Sequence, residues 1–155
     1  MHVKMAEAAA WGGSVGIRAN SPRQIRDIKA AVDLPVIGLY KQWHEGSNVF
    51  ITPTLDAVRA VYEAGAEIIM IESEGITENV TSWRTDVVAK FIDALGLEKV
   101  MFEAAEPDVF QWYIKNYGPE VNVFVDHSQI VQLETLRRGI WGTKSLWGRV
   151  LTYKG

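Results

Sequence analysis

The stretches LPVIGLYK at residues 34–41 and EIIMIE at residues 67–72 decide the fold. Each is a short run of β-branched and other apolar residues that ends in a charged residue. Such runs, without polar alternation, are typical of parallel strands that are buried on both faces. Between them, residues 55–64 carry a helical period that begins after a capping threonine, Thr54. The two stretches therefore predict one β-α-β unit.

The same unit recurs along the whole chain. Each predicted strand contains or ends in a charged residue, and these residues are separated by 23 or 31 positions, which suits a βα repeat. No linker or low-complexity stretch divides the repeats, so we expect a single α/β domain over residues 1–155. The further predicted strands are residues 14–19, 99–104 and 121–126, and the further predicted helices are residues 3–10, 22–31, 85–95, 107–116 and 130–138.

The composition excludes several classes of function. Sixteen Lys and Arg residues stand against nineteen Asp and Glu, so the cationic excess that nucleic-acid binding requires is missing. With no cysteine, the chain has no disulfide, zinc-thiolate site or thiol nucleophile. No apolar run approaches the length of a membrane span, and the first residues lack a secretory pattern, so we expect a cytoplasmic protein with no membrane partner.

Charged residues at the strand ends are the main candidates for function. The carboxyl ends of parallel strands face the same way, so we expect these side chains to converge on one rim. The rim is read either as a solubilising edge or as the floor of an active site. Its three carboxylates also suit a hard cation such as magnesium. The residues are Arg18, Lys41, Glu72, Glu103 and Asp126.

Two other patterns in the second half carry weaker signals. Asp126, His127 and Ser128 are adjacent, and neighbours in sequence do not give the geometry of a catalytic triad. Residues 137–155 hold five cations and no acid, which suits either phosphate binding near glycine-rich backbone or simple stabilisation of a helix end.

Four motifs in the first half carry a family resemblance: VGIRAN at 15–20, DLPVIGLYK at 33–41, VFITPTLDAV at 49–58 and EAGAEII at 63–69. This half resembles N-acylmannosamine-6-phosphate 2-epimerase, a (β/α)₈ barrel of bacterial sialic-acid catabolism. The resemblance implies that Arg18 binds substrate and that Lys41 is the base that transfers a proton at C2 of the sugar.

Four motifs in the second half point to another family: IIMIESEG at 68–75, GLEKVMFEA at 96–104, YIKNYGPEVN at 113–122 and VQLETLRRGIWG at 131–142. They resemble phosphosulfolactate synthase, a (β/α)₈ barrel that adds sulfite to phosphoenolpyruvate with magnesium. The resemblance implies that Glu72 and Glu103 act as catalytic carboxylates or magnesium ligands. It also implies that Arg137 and Arg138 lie near a phosphate.

The two resemblances meet at residues 67–72, and neither is expected to continue across that strand. We therefore expect an epimerase-like fragment, residues 1–71, joined to a synthase-like fragment, residues 72–155, in a recombined or engineered scaffold. Each parental site is incomplete, so the main expectation is no evolved catalysis and no cofactor. The alternatives are residual epimerase or phosphoenolpyruvate–sulfite chemistry, with Lys41 as base and Glu72 or Glu103 as acid or magnesium ligand, or binding of phosphate or another anion alone.

A chain of 155 residues is too short for a complete barrel, which takes roughly 250. We expect a truncated TIM-barrel-like repeat of five parallel strands in sequential order. Its concave face would expose apolar side chains unless a second copy covered them, so a homodimer is predicted. The alternative is a flavodoxin-like, doubly wound sheet with helices on both faces.

Overall fold

A computed structural model of the chain describes residues 1–139. Five strands alternate with helices, as the sequence predicts, and the chain divides into two compact units, residues 1–75 and residues 76–155. From residue 140 onward, the predicted basic stretch lies outside the described residues. No helix among residues 1–139 combines the length and the hydropathy needed to cross a bilayer.

The first unit contains three βα repeats, and local capping sets their boundaries. Ser21 accepts a hydrogen bond from the Gln24 amide ahead of a helix that starts with Pro22, and Thr54 accepts one from the Ala57 amide. The strands are shorter than predicted, and the first is also shifted, since it runs over residues 17–20 instead of residues 14–19. In order, the elements are α1 (His2–Trp11), β1 (Ile17–Asn20), α2 (Pro22–Lys29), β2 (Val36–Leu39), α3 (Leu55–Glu63) and β3 (Ile68–Ile71).

Strand β2 lies between β1 and β3, and both pairings are parallel. Ile17 is in register with Val36, and Ile37 is in register with Ile68. A flavodoxin-like sheet would instead place the first strand between the second and the third. The direct β2–β3 pairing therefore excludes the doubly wound alternative, and the sequential order of a barrel-like repeat is confirmed in this unit.

Helices α2 and α3 pack on the same face of this three-stranded sheet. Gly38, in the middle of β2, faces both of them: a Cβ atom placed there would lie 2.5 Å from Val61 of α3 and 3.0 Å from Ile25 of α2. The glycine lets the helix layer approach the strand closely, because it has no side chain to fill that space.

The opposite face of the sheet is where the sequence predicts an open apolar surface. In this unit that expectation is wrong in part, because the connection between β2 and α3 folds back and packs its Ile51 against Leu39 and Met70, with Ile37 at the margin. Leu39 and Met70 are consequently buried. Burial of this kind stabilises the unit by about 1.5–3 kcal/mol for each large apolar side chain.

The second unit repeats the strand-helix rhythm. Strands β4 and β5 pair in parallel, with Met101 opposite Asn122 and Glu103 opposite Phe124. The side chain of Asn122 also donates, through Nδ2, to the carbonyl of Val100 at 3.2 Å, which fixes the start of the pair. The elements described here are α4 (Thr85–Leu95), β4 (Val100–Glu103), α5 (Pro107–Tyr117), β5 (Asn122–Phe124) and α6 (Ile130–Arg137), with short 3₁₀ turns at Leu97–Lys99 and His127–Gln129.

Aromatic side chains dominate the core of the second unit. The ring of Tyr113 on α5 stacks on Phe102 of β4, with centroids 4.9 Å apart, and Trp112 meets Tyr113 and Trp83 edge to face. Burial raises the pKa of the Tyr113 phenol, since the phenolate would lose its hydration there. The stack holds α5 against β4.

Candidate functional site

A pocket of about 370 Å³ lies at the carboxyl ends of β2 and β3. Side chains alternate along a strand, so Lys41 continues the face that carries Leu39, and Glu72 continues the face that carries Met70. The structure therefore places the predicted Lys41 and Glu72 at one pocket. Its lining residues are Lys41, Gln42, Trp43, Phe50, Ile51 and Glu72.

The pocket is built by the connection that follows β2, because this segment reverses direction and runs back beside Lys41. Lys41 and Ile51 form an antiparallel bridge. The Gln42 amide donates to the Phe50 carbonyl at 2.9 Å, and the Thr52 amide donates to the Tyr40 carbonyl at 2.9 Å. Lys41 is thus held in a short antiparallel ladder rather than in a free loop.

The carboxylate of Glu72 ties this ladder to β3. Its Oε2 atom accepts hydrogen bonds from the backbone amides of Phe50, at 2.6 Å, and Ile51, at 2.9 Å. Hydrogen bonds to a charged acceptor are stronger than neutral ones, so they fix the orientation of the carboxylate. Glu72 therefore has a structural role in the wall of the pocket, in addition to its predicted chemical role.

Thr52 is a residue of this site that the sequence analysis did not identify. Its side chain is buried, with 1% of its surface exposed, and its Oγ1 accepts from the Tyr40 amide at 3.2 Å and donates to the Met70 carbonyl at 2.8 Å. Its φ angle of 54° lies in the left-handed region. No local sequence pattern indicates these contacts, since they join residues 12 and 18 positions away.

Arg18 and Lys41 are the two cations of the first unit that the sequence predicts to be functional. Arg18 lies inside β1, two residues before its end, so its placement at a strand terminus was wrong. By strand alternation it shares a face with Asn20, whose Oδ1 accepts a hydrogen bond from the Lys41 amide at 2.9 Å. Arg18 lines a separate pocket of about 450 Å³ between α1, β1 and α2.

The predicted acids of the second unit occupy a strand end and a local cap. Glu103 is the half-buried last residue of β4. Asp126 begins the turn before α6, where its Oδ1 accepts from both the amide and the hydroxyl of Ser128, and these bonds lower the pKa of the carboxyl. Because the Ser128 hydroxyl bonds Asp126 rather than His127, the three residues form a capping turn and not a relay.

The two arginines predicted to lie near a phosphate make contacts within the second unit. The guanidinium of Arg137 donates to the carbonyls of Pro119, at 2.9 Å, and Val121, at 2.7 Å, just before β5. Arg138 pairs with Glu134 one turn earlier on α6. Arg137 therefore lies near the amino end of β5, and a phosphate role for either residue stays a prediction.

Magnesium is implied by the synthase resemblance, with Glu72 and Glu103 as its ligands. Among residues 1–139, no three His, Asp or Glu side chains are grouped as ligands. One oxygen of Glu72 is already used by two backbone amides. Binding of magnesium by Glu72 and Glu103 therefore stays a prediction of the resemblance.

Comparison with protein families gives one match over most of the chain. The family model of (2R)-phospho-3-sulfolactate synthase matches residues 16–143. The expectation that the synthase resemblance stops at residues 67–72 is therefore wrong, because the match begins at β1 and runs through both units.

Individual relatives match shorter parts of the chain. HEAT-STRESS-ASSOCIATED 32 of Arabidopsis thaliana is 52% identical over 75 residues, which is 48% of this chain and 26% of the relative. A Listeria monocytogenes protein named for N-acetylmannosamine-6-phosphate 2-epimerase is 51% identical over 70 residues, 45% of this chain and 30% of the relative. The chain thus spans between a quarter and a third of the length of these curated relatives.

A solved structure supports the same fold class. The N-acetylmannosamine-6-phosphate 2-epimerase from Clostridium perfringens matches with a TM-score of 0.60 and 26% identity, over 73% of this chain and 48% of that chain. Together with the five parallel strands, it confirms a TIM-barrel-like βα repeat. The main functional expectation, a recombined or engineered scaffold without evolved catalysis, is wrong, because a curated relative and the solved neighbour are both named for N-acetylmannosamine-6-phosphate 2-epimerase.

Proposed function

The chain belongs to the (2R)-phospho-3-sulfolactate synthase family, and on that premise we propose that it transfers a proton at the carbon beside a carbonyl or carboxylate of a phosphorylated substrate. The preferred substrate class is a phosphorylated 2-amino sugar, because epimerase relatives match almost half of the chain and the solved neighbour is such an epimerase. We assign the proton transfer to Lys41.

One chemical step is common to the two families. In a 2-epimerase the C2–H bond breaks, its electron pair is delocalised onto the neighbouring carbonyl, and a proton returns to the other face of C2. When sulfite adds to the methylene carbon of phosphoenolpyruvate, the double-bond pair moves toward the carboxylate and C2 then takes up a proton. Both steps need a group that exchanges a proton with C2 next to a delocalised anion.

The observation that carries the proposal is that Lys41 and Glu72 line one pocket at neighbouring strand ends. Within residues 1–139, the ammonium group of Lys41 makes no hydrogen bond or ion pair, and its position is fixed through its backbone. Glu72 is held by two backbone amides and keeps its second oxygen for a proton. A lysine and a carboxyl group on one pocket supply, respectively, the base and the acid that epimerisation requires.

Charge supports a phosphorylated substrate. Lys41 lines the pocket, and a dianionic phosphate is attracted by such a cation, whereas Arg18 lines a different pocket. Binding of phosphate alone, which the sequence also allows, predicts a raised melting temperature in phosphate without any proton exchange.

The test measures exchange of the C2 proton directly. N-acetylmannosamine 6-phosphate is incubated with the protein in D₂O, and loss of the C2–H signal is followed by proton NMR. We expect Lys41→Ala to lower the exchange rate by about 100-fold or more, since it removes the acid–base group. Lys115→Ala, which removes an exposed lysine on α5, serves as the matched control and should leave the rate unchanged.

Two outcomes would contradict the assignment. Equal exchange in Lys41→Ala and the unsubstituted protein would remove Lys41 from the reaction. If the amino sugar does not exchange, phosphoenolpyruvate with sulfite is the second substrate to try, and absence of product there as well would reject the proposed function.

A homodimer remains part of the proposal. Trp43 at the pocket is 72% exposed and Phe50 is 38% exposed, so a second copy would cover apolar area there. Light scattering should give the mass of two chains, and the mass of one chain would reject the dimer. The cytoplasmic location stays a prediction.

A further inference from the structure

We infer that Thr52 is a positioning residue for Lys41, acting through the backbone of Tyr40 and not through contact with substrate. This inference rests on the proposed function for its meaning, since it concerns how the proton-transferring lysine is held. Nothing in the family resemblances assigns a role to Thr52.

The first step of the argument is the set of atoms that Thr52 holds. It binds both backbone groups of Tyr40: its Oγ1 accepts from the Tyr40 amide at 3.2 Å, and its own amide donates to the Tyr40 carbonyl at 2.9 Å. Tyr40 directly precedes Lys41. Because both backbone groups of Tyr40 are hydrogen-bonded, its φ and ψ angles have little freedom. Thr52 therefore sets the direction in which the chain leaves β2 at Lys41.

The second step is the link to β3. The same hydroxyl donates to the Met70 carbonyl at 2.8 Å, two residues before Glu72. One buried side chain thus joins the segment before Lys41 to the strand that carries Glu72. The separation between these two strand ends then depends on a hydroxyl that both accepts and donates, a capacity that Val or Ala lacks.

The third step is the backbone of Thr52 itself. A β-branched residue at φ 54° is strained, whereas glycine or asparagine adopts this region easily. Strained residues that persist at a pocket indicate that the surrounding contacts require that side chain. Glycine here would relieve the backbone and lose the hydroxyl together, whereas serine would keep the hydroxyl, so comparing the two variants isolates the contribution of the hydroxyl.

This comparison gives a test in which folding is not the limiting factor. Thr52→Gly removes both the strain and the hydroxyl, and Thr52→Ser keeps the hydroxyl. We expect Thr52→Gly to lower kcat for C2 exchange by about 10-fold or more with KM changed by less than about 3-fold, and Thr52→Ser to restore most of kcat. Thr54→Val is the matched control: it removes the cap of α3 two residues away, and kcat should be unchanged.

Hydrogen exchange supplies a readout that does not depend on catalysis. The Gln42 amide donates within the ladder beside Lys41, and the Ile51 amide donates from the ladder to Glu72. Both amides should exchange about 10-fold faster in Thr52→Gly but not in Thr54→Val. Unchanged exchange in Thr52→Gly, or an equal loss of kcat in Thr54→Val, would overturn the inference. If the unsubstituted protein moves no C2 proton but the two amides respond as expected, the positioning role stands and the proposed function alone fails.

Discussion

The carboxyl ends of the strands are used differently in the two units. In the first unit, Glu72 accepts a hydrogen bond from the segment that follows β2, and Thr52 of that segment donates one to Met70 of β3, so two strand ends and one connection form a pocket. In the second unit, Asp126 contacts its immediate neighbours along the chain, Ser128 through two hydrogen bonds and His127 through an ion-pair contact. The same sequence signal, an acid that follows a strand, thus gives a cross-strand site in one unit and a local cap in the other.

The source of cohesion differs in the same way. Around β2 and β3, glutamates at both ends of β3 accept backbone amides: Glu67 from Val36 and Glu72 from Phe50 and Ile51. In the second unit, stacked rings on α5 and β4 fill the core. Hydrogen bonds between a side chain and the backbone hold nearby functional groups in a defined position. Aromatic packing stabilises the unit but does not fix the position of a chemical site.

Loss of the aromatic stack should have the largest effect on stability. Tyr113→Ala removes a ring that is 1% exposed and should lower the free energy of unfolding by about 3–5 kcal/mol. Tyr117→Ala, on the same helix and only partly buried, should cost less than half as much. Urea unfolding followed by tryptophan fluorescence measures both, and equal losses would contradict the importance of the stack.

The second-largest effect is expected from substitution of the strand-end acids, and the loss of stability should differ between the two units. Glu72→Gln keeps the shape but replaces two charge-assisted bonds with neutral ones, so the free energy of unfolding should fall by about 1–2 kcal/mol. Asp126→Asn affects an exposed turn and should have a smaller effect. Chemical denaturation at pH 7 tests the order, and a larger loss for Asp126→Asn would reverse the comparison.

The smallest effect is expected on how the melting temperature falls with pH, and it comes from the ion pair at the amino end of β3. Partial burial opposes ionisation of Glu67, but its bonds with Lys29 and the Val36 amide outweigh this and hold its pKa below the ordinary 4.5. Its stabilising contribution is therefore present above that value and is lost as pH falls through the folded-state pKa. In melting experiments from pH 6 down to about pH 3, Glu67→Gln and Lys29→Met should both flatten the decline. An unchanged slope in both variants would contradict the contribution of this pair.

Local features of the fold could be predicted from the sequence. The bounds of α4 follow from helical period and the terminal glycine, and the starts of α2 and α3 follow from Ser21 and Thr54. The pocket could be predicted only through Lys41 and Glu72. The bonds of Thr52 depend on where a long connection folds back, and no pattern of neighbouring residues encodes that.

The antiparallel ladder beside Lys41 has a consequence for engineering. The ladder closes at the Gln42–Phe50 hydrogen bond, and the tip beyond it turns through Gly46, with Ser47 bonded to His44. Everything that orients the lysine therefore lies on the sheet side of that closure. We therefore expect that the tip can be lengthened or exchanged while the end of β2 keeps its geometry.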